Sequence, residues 1–216
     1  MNFLGEGYLF IAFFGWVLIL GILIFIGLYL GRDLGLGAPL LEGWTRGEPV
    51  RDRVVSALKV SLALGLGVAV VKYLLDWLVF SPFVPATLSQ WREVPLLLRL
   101  AIPFQQGIGD EISYRLFWMT VLVWIIHKLE KPGDNGVSAR GIWLAILGVG
   151  LLSIAGPLLW GTDILVKLQY AAIILTGAIP FGWLYGKKGI ESAIIAHFTS
   201  SILLVLLSLF QGIGPV

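Results

Sequence analysis

The residues best suited to chemistry are three ionisable side chains that lie within six consecutive positions of an otherwise apolar region, in the run Asp110-Glu111-Ile112-Ser113-Tyr114-Arg115. Glu111 and Arg115 are four residues apart, so on a helix they share one face and are able to pair. Asp110 follows a glycine, where the N-cap residue of a helix would stand. The spacing predicts either a buried polar site or an acid-capped helix with an internal salt bridge.

A histidine stands in a second apolar stretch, Ala193-Ile194-Ile195-Ala196-His197-Phe198-Thr199-Ser200-Ser201. Ser201 follows His197 by one helical turn, which adds a second polar group to the same face. A lone membrane histidine is also compatible with a packing role, in which it bonds to a neighbouring helix. His127, beside Lys128, is predicted to lie at the membrane interface.

Carboxylates and a histidine on separate membrane spans are suited to the activation of water. Asp110 or Glu111 would take a proton from water that attacks an amide. His197 would donate a hydrogen bond to the developing oxyanion or protonate the leaving amine. Arg115 would hold a carboxylate in place and ionised. These residue types favour a hydrolase.

The composition excludes several other chemistries. The chain has no cysteine, which excludes a disulfide scaffold, a thiolate nucleophile and a zinc site built on sulfur, and its two histidines exclude a three-histidine metal site. With 15 Lys and Arg against 13 Asp and Glu, the net charge of +2 offers no broad basic surface for nucleic acid. The partners that the composition predicts are membrane lipids.

The elements that position these residues are predicted to be membrane helices, since 58% of the residues are hydrophobic and the mean hydropathy is +0.92. About 20 apolar residues span a bilayer. We expect an all-α, polytopic integral membrane bundle of six to eight helices in one domain, 1–216. Its predicted spans are 8–30, 54–80, 142–160, 166–185 and 190–210, together with the long apolar region 94–126.

The region 94–126 is too long for one perpendicular helix. Pro103, Gly107 and Gly109 predict a break between a short or oblique helix and a second helix that starts at Asp110 and ends near His127. With six crossings, positive charges concentrate in the first, third and fifth loops, which predicts both termini on the outer side unless 94–106 is itself a full crossing.

The predicted depths of the two polar features disagree. At about 1.5 Å per residue from the inner helix ends, Glu111 would lie about 24 Å deep and His197 about 10 to 12 Å deep. Among the other intramembrane charges, Lys59 is predicted to reach the interface, and Lys72 and Asp76 are predicted to pair near a helix end. Arg99 is ambiguous.

The polar motifs resemble those of the CAAX-protease and bacteriocin-processing (CPBP) family of intramembrane endopeptidases, formerly grouped as Abi proteins. The first hallmark of that family, Glu-Glu-x-x-x-Arg, resembles Asp110-Glu111-x-x-x-Arg115, and the last, His-x-x-x-Asn or Asp, resembles His197-x-x-x-Ser201. The approach to His197 is similar to the family's Gly-x-x-Tyr, short basic turn and Ala-rich helix. The likeness covers roughly 96–207 and places a CPBP-like core at 94–210.

This resemblance implies a multi-pass protease of the cell membrane, of glutamic or metal-dependent type, whose substrate is a membrane-anchored peptide or protein. Its catalytic residues would be Asp110, Glu111, Arg115, His197 and Ser201. A divalent metal cofactor is left open, with Glu111 and His197 as two ligands.

The sequence also departs from the family pattern. Asp110 replaces the expected first glutamate, and Ser201 replaces the residue that supports the last histidine. The middle hallmark, Phe-x-x-x-His, aligns with Ser153 and Pro157, so an expected histidine is missing. Three hypotheses follow: a divergent endopeptidase, a non-catalytic scaffold or chaperone like the related gamma-secretase scaffold subunit, and, less favoured, a small transporter.

Overall fold

The regular elements of the chain are helices throughout the described ranges of the computed structural model, which are residues 3–83, 94–130, 137–159 and 163–210. Six helices are long and apolar enough to cross a membrane, which confirms the predicted all-α bundle. In chain order the elements are α1 (Phe3–Gly31), a 3₁₀ turn (Arg32–Leu34), α2 (Pro39–Thr45), α3 (Arg51–Leu74, continued by a π-helical turn Leu75–Phe80), α4 (Leu96–Gln105, Gln106–Met119 and Thr120–Leu129), α5 (Ala139–Leu159), α6 (Ile164–Lys188) and α7 (Ile190–Phe210).

Helix α4 does not break where the sequence predicted. It continues through Pro103, Gly107 and Gly109, and its middle segment Gln106–Met119 is π-helical. Asp110 therefore lies inside a helix and is not an N-cap residue, so that prediction is wrong. Proline and glycine are tolerated inside membrane helices because neighbouring helices and local π-helical adjustments satisfy the backbone groups that they free.

The continuity of α4 also explains the disagreement over depth. Its membrane-spanning part, Leu97–Leu129, has 33 residues. A helix of that length measures about 50 Å, which exceeds the roughly 30 Å of bilayer hydrocarbon. The helix must tilt or extend beyond the hydrocarbon, so its end does not mark the membrane boundary. Residues 94–106 form no separate crossing, and the orientation of the termini stays a prediction.

The most extensive helix contact joins α3 to α7. Small residues line the buried face of α3, and a Cβ placed on Gly65 would overlap the backbone oxygen of Ala196. Small residues allow membrane helices to approach this closely. The π-helical segment of α4 packs on the other side, between α1 and α7. This arrangement turns Glu111 towards His197.

The turn between α6 and α7 fixes the level of α7 in the bundle. Gly189 adopts φ +89°, a left-handed conformation that glycine accepts without strain. Two residues later, the Glu191 Oε1 atom accepts hydrogen bonds from the backbone N–H groups of Leu40 and Leu41, at 2.9 and 3.0 Å. The first turns of α2 and α7 are therefore tied together, which sets the height of His197.

Candidate active site

The structure brings the two predicted polar features into direct contact. Glu111 lies in the π-helical segment of α4 and His197 in the second turn of α7. The His197 Nδ1 atom is 2.7 Å from Glu111 Oε1. Glu111 is completely buried, and His197 is 9% exposed. A hydrogen bond in so dry a place fixes the orientation of the imidazole.

Arg115 forms an ion pair with the other oxygen of the same carboxylate. Its Nε atom lies 3.4 Å from Glu111 Oε2, so the pairing predicted from their spacing is present. The Arg115 Nη2 atom also donates to the backbone oxygen of Ala178 on α6, at 3.3 Å. Glu111 Oε1 therefore bonds to His197, and Oε2 lies beside the Arg115 guanidinium without accepting a hydrogen bond from any described residue. Together Glu111, Arg115 and His197 join three helices, α4, α6 and α7.

The imidazole is held by packing as well. The Phe181 ring stacks on His197 with 4.9 Å between centroids and 27° between planes. The Arg115 guanidinium carbon lies 6.0 Å from the centroid of the same ring. An ionised carboxylate only accepts hydrogen bonds, so with Glu111 ionised the proton of His197 resides on Nδ1. His197 Nε2 then has no hydrogen-bond partner among the described residues.

A cavity of about 380 Å³ opens beside this dyad, walled by α3, α4, α5, α6 and α7. Asp110 and His197 line it, whereas Glu111 lies behind the wall. Within the described part of the chain, the Asp110 side chain makes no hydrogen bond or ion pair. Of the two acids expected to take a proton from water, only Asp110 borders the cavity, and that role stays a prediction. The further polar side chains of the lining are Lys72, Gln106, Tyr114, Arg115, Ser153, Tyr170 and Ser201.

Ser201 does not support His197 as the resemblance implied. Its Oγ atom donates to Gln106 Oε1 at 3.3 Å, across to α4. The serine side chain is shorter than the asparagine or aspartate of the family pattern, and its described hydrogen bond goes to the Gln106 amide. Glu111 and Phe181 hold the imidazole in its place.

The sequence alignment of the middle hallmark falls on the α5 wall of the cavity. Ser153 lines the cavity, and its Oγ donates to the Gly150 oxygen of its own helix at 2.8 Å. The side chain of Pro157 lies outside the described residues. Neither position supplies the missing imidazole.

Lys72 is the functional candidate that the sequence analysis missed. The described ion pairs contain none between Lys72 and Asp76; Asp76 accepts a hydrogen bond from Gln169 Nε2 at 2.7 Å, and Lys72 lines the cavity. One signal was present in the sequence: Lys72 precedes the end of its predicted span by eight residues. That distance is about 12 Å, which is far for a lysine side chain to reach the interface.

The proposed metal ligands do not form a metal site. In the parts of the chain that the structure covers, no group of three or more His, Asp and Glu side chains is placed to hold an ion. Glu111 Oε1 and His197 Nδ1 bond to each other instead of converging on a third point. This geometry resembles a carboxylate that orients a histidine more than a pair of ligands.

Comparison of the chain with protein-family models, with curated proteins and with solved structures finds no match. The likeness to the CPBP family therefore rests on the motif residues themselves.

Proposed function

We propose that the protein is an intramembrane endopeptidase of the cell membrane, which hydrolyses an amide bond of a membrane-anchored peptide. The observation that carries this proposal is the hydrogen bond between Glu111 and His197 at the wall of a polar cavity that Asp110 also lines. A histidine oriented by a buried carboxylate, with its other nitrogen free, has the arrangement of a general base.

In the first step, a water molecule in the cavity lies between Asp110 and His197. Asp110 accepts a hydrogen bond from one of its hydrogens, and His197 Nε2 removes the other proton as the water oxygen bonds to the amide carbon. The carbonyl π electrons move to the carbonyl oxygen. Glu111 stabilises the imidazolium through Nδ1 and touches no reacting atom, so it is a positioning residue.

In the second step, the electron pair returns from the oxyanion and the C–N bond breaks. His197 returns its proton to the departing amine nitrogen, and the carboxyl product retains the water oxygen. Arg115 keeps Glu111 ionised and in place throughout. This scheme differs from the sequence hypothesis in the roles of three residues: His197 is the base, Asp110 only orients the water, and Glu111 acts through His197.

A scaffold hypothesis explains the buried network but not the cavity. The ion pair of Glu111 with Arg115 would serve packing equally well. Packing does not require Asp110 and His197 Nε2 to face an open space without partners, since unsatisfied polar groups cost stability inside a membrane. These two groups favour catalysis over a purely structural role.

The test uses the full chain, purified and placed in lipid nanodiscs, with a panel of membrane-anchored peptides and mass spectrometry of the products. We expect cleavage by the wild type and by His127→Gln, which changes a histidine outside the cavity. His197→Gln and Asp110→Asn should each lower the rate by about 10²-fold or more while the protein stays folded. A wild type that cleaves nothing across the panel would favour the scaffold.

A further inference from the structure

One cation of the cavity has no anionic partner in the described structure. Arg115 also lines the cavity, but it pairs with the buried Glu111. Lys72 and Asp110 remain, both lining the cavity, and the described ion pairs contain none that joins them. An unpaired ammonium in a membrane helix is costly and is by default a functional group.

The surroundings of Lys72 hold its ammonium at a defined place. Its Nζ atom lies 6.0 Å from the centroid of the Phe181 ring, the same ring that stacks on His197. Gly177 on α6 leaves room for it, because a Cβ there would lie 3.1 Å from Nζ. Lys72 on α3 therefore faces the space that Asp110 and His197 border from α4 and α7.

We propose that Lys72 is the oxyanion-binding residue of this cavity. This inference rests on the proposed function. When water adds to the scissile amide, the carbonyl electron pair moves to oxygen, and the Lys72 ammonium donates a hydrogen bond to it while keeping its proton. When the pair returns and the C–N bond breaks, that hydrogen bond weakens. A fixed charge in a dry site stabilises such a transient anion more than it stabilises the neutral carbonyl.

The charge balance favours a transient oxyanion over a permanent carboxylate as the partner of Lys72. Asp110 shares the cavity, and its negative charge would oppose a ligand that enters as an anion. An amide enters neutral and develops its charge only at the carbonyl oxygen. Binding of a ligand carboxylate by Lys72 would therefore contradict the proposal.

The experiment compares Lys72→Met and Lys72→Arg with Lys59→Met, which removes an exposed lysine from the same helix. In nanodiscs with a cleaved panel peptide, Lys72→Met should lower kcat by about 10² to 10³-fold with KM little changed. Lys72→Arg should recover part of the loss, and Lys59→Met should match the wild type. A rise in KM at constant kcat would instead identify a carboxylate subsite and overturn the proposal.

A binding measurement separates this proposal from the proposed function. The probe is a phosphinate analogue of the best-bound panel peptide, which carries a tetrahedral anion in place of the amide. Calorimetry should show that Lys72→Met lowers the affinity for the analogue by about 10²-fold and leaves the affinity for the parent peptide unchanged. If the wild type cleaves nothing, the proposed function fails, and this comparison still decides the role of Lys72. Equal weakening of both ligands, or no binding of the analogue, overturns it.

Discussion

Removal of the Glu111 charge should destabilise the bundle more than any comparable surface change. Glu111→Gln keeps the size of the side chain but leaves the Arg115 guanidinium, 3.4 Å away and 5% exposed, without its counter-ion. At an effective dielectric constant of about 20, two unit charges at this distance attract by about 5 kcal/mol. Breaking a buried pair from one side costs about 3 to 5 kcal/mol. We therefore expect a loss of about 3 to 5 kcal/mol in the free energy of unfolding.

The assay is equilibrium unfolding in mixed micelles with increasing dodecyl sulfate, followed by circular dichroism. The matched control is Glu48→Gln, because Glu48 also bonds to two partners, Arg46 at 2.9 Å and Arg53 at 2.6 Å, but its side chain is 39% exposed. Exposed ion pairs contribute little, so this control should unfold almost like the wild type. The reasoning is refuted if Glu111→Gln is as mild as Glu48→Gln.

A double variant tests whether the cost arises from the orphaned charge. Combining Glu111→Gln with Arg115→Met removes both charges of the pair, so no buried charge is left without its counter-ion. The double variant should be more stable than Glu111→Gln alone. Additive losses from the two changes would show that the ion pair does not couple them.

Four further outcomes are expected. Gly65→Ala should cost about 1 to 3 kcal/mol, because its Cβ overlaps the backbone of α7, whereas Gly67→Ala meets open space and should not; equal unfolding of the two would contradict the packing of α3 on α7. Thr120→Val should cost about 1 to 3 kcal/mol, because it leaves the buried Tyr185 hydroxyl without its 2.7 Å partner, and a cycle with Tyr185→Phe should show less than additive losses. Hydrogen bonds from Arg53 and Arg46 hold the pKa of Glu48 below its usual value of 4.5, so the small stabilisation that Glu48 provides should be present above that pH and vanish as the pH falls below it; titration of the difference between wild type and Glu48→Gln checks the sign. Cleavage in nanodiscs should persist after treatment with a chelator. Loss of cleavage would instead indicate a metal site that the described side chains do not form.

The membrane spans were predictable because each one is a local property. Roughly 20 apolar residues in a row define a helix that spans lipid, and five of the six predicted spans agree with the observed helices within a few residues at each end. The prediction for the sixth region, 94–126, was wrong in one point: Pro103, Gly107 and Gly109 do not break the helix, as such residues often do in water. In a bundle, neighbouring helices satisfy the backbone groups that such residues free, and sequence windows do not contain that information.

In the candidate site, too, the local contact was predictable from the sequence and the long-range contact was not. The pair of Glu111 and Arg115 follows from a four-residue spacing and was predicted. The bond from Glu111 to His197 joins positions 86 residues apart. Helical periodicity does not fix how α4 and α7 face each other, and depth counted from the helix ends opposed the contact.

Two side-chain roles depended on tertiary packing. Ser201 bonds to the Gln106 amide, which lies on another helix. Lys72 faces the cavity because Gly177 and the Phe181 ring on α6 leave space for its ammonium. Both facts belong to helix pairs distant in sequence, so no local pattern predicted them.

Hydrolysis in water enriched in ¹⁸O would show whether the protein is an endopeptidase that uses water and His197. The full chain in nanodiscs is incubated with the panel of membrane-anchored peptides, and mass spectrometry records new termini. We expect internal cleavage with one ¹⁸O atom in each new carboxylate, retained in His127→Gln and lost in His197→Gln. An unchanged rate in His197→Gln, or a folded wild type that cleaves no peptide, would contradict this expectation.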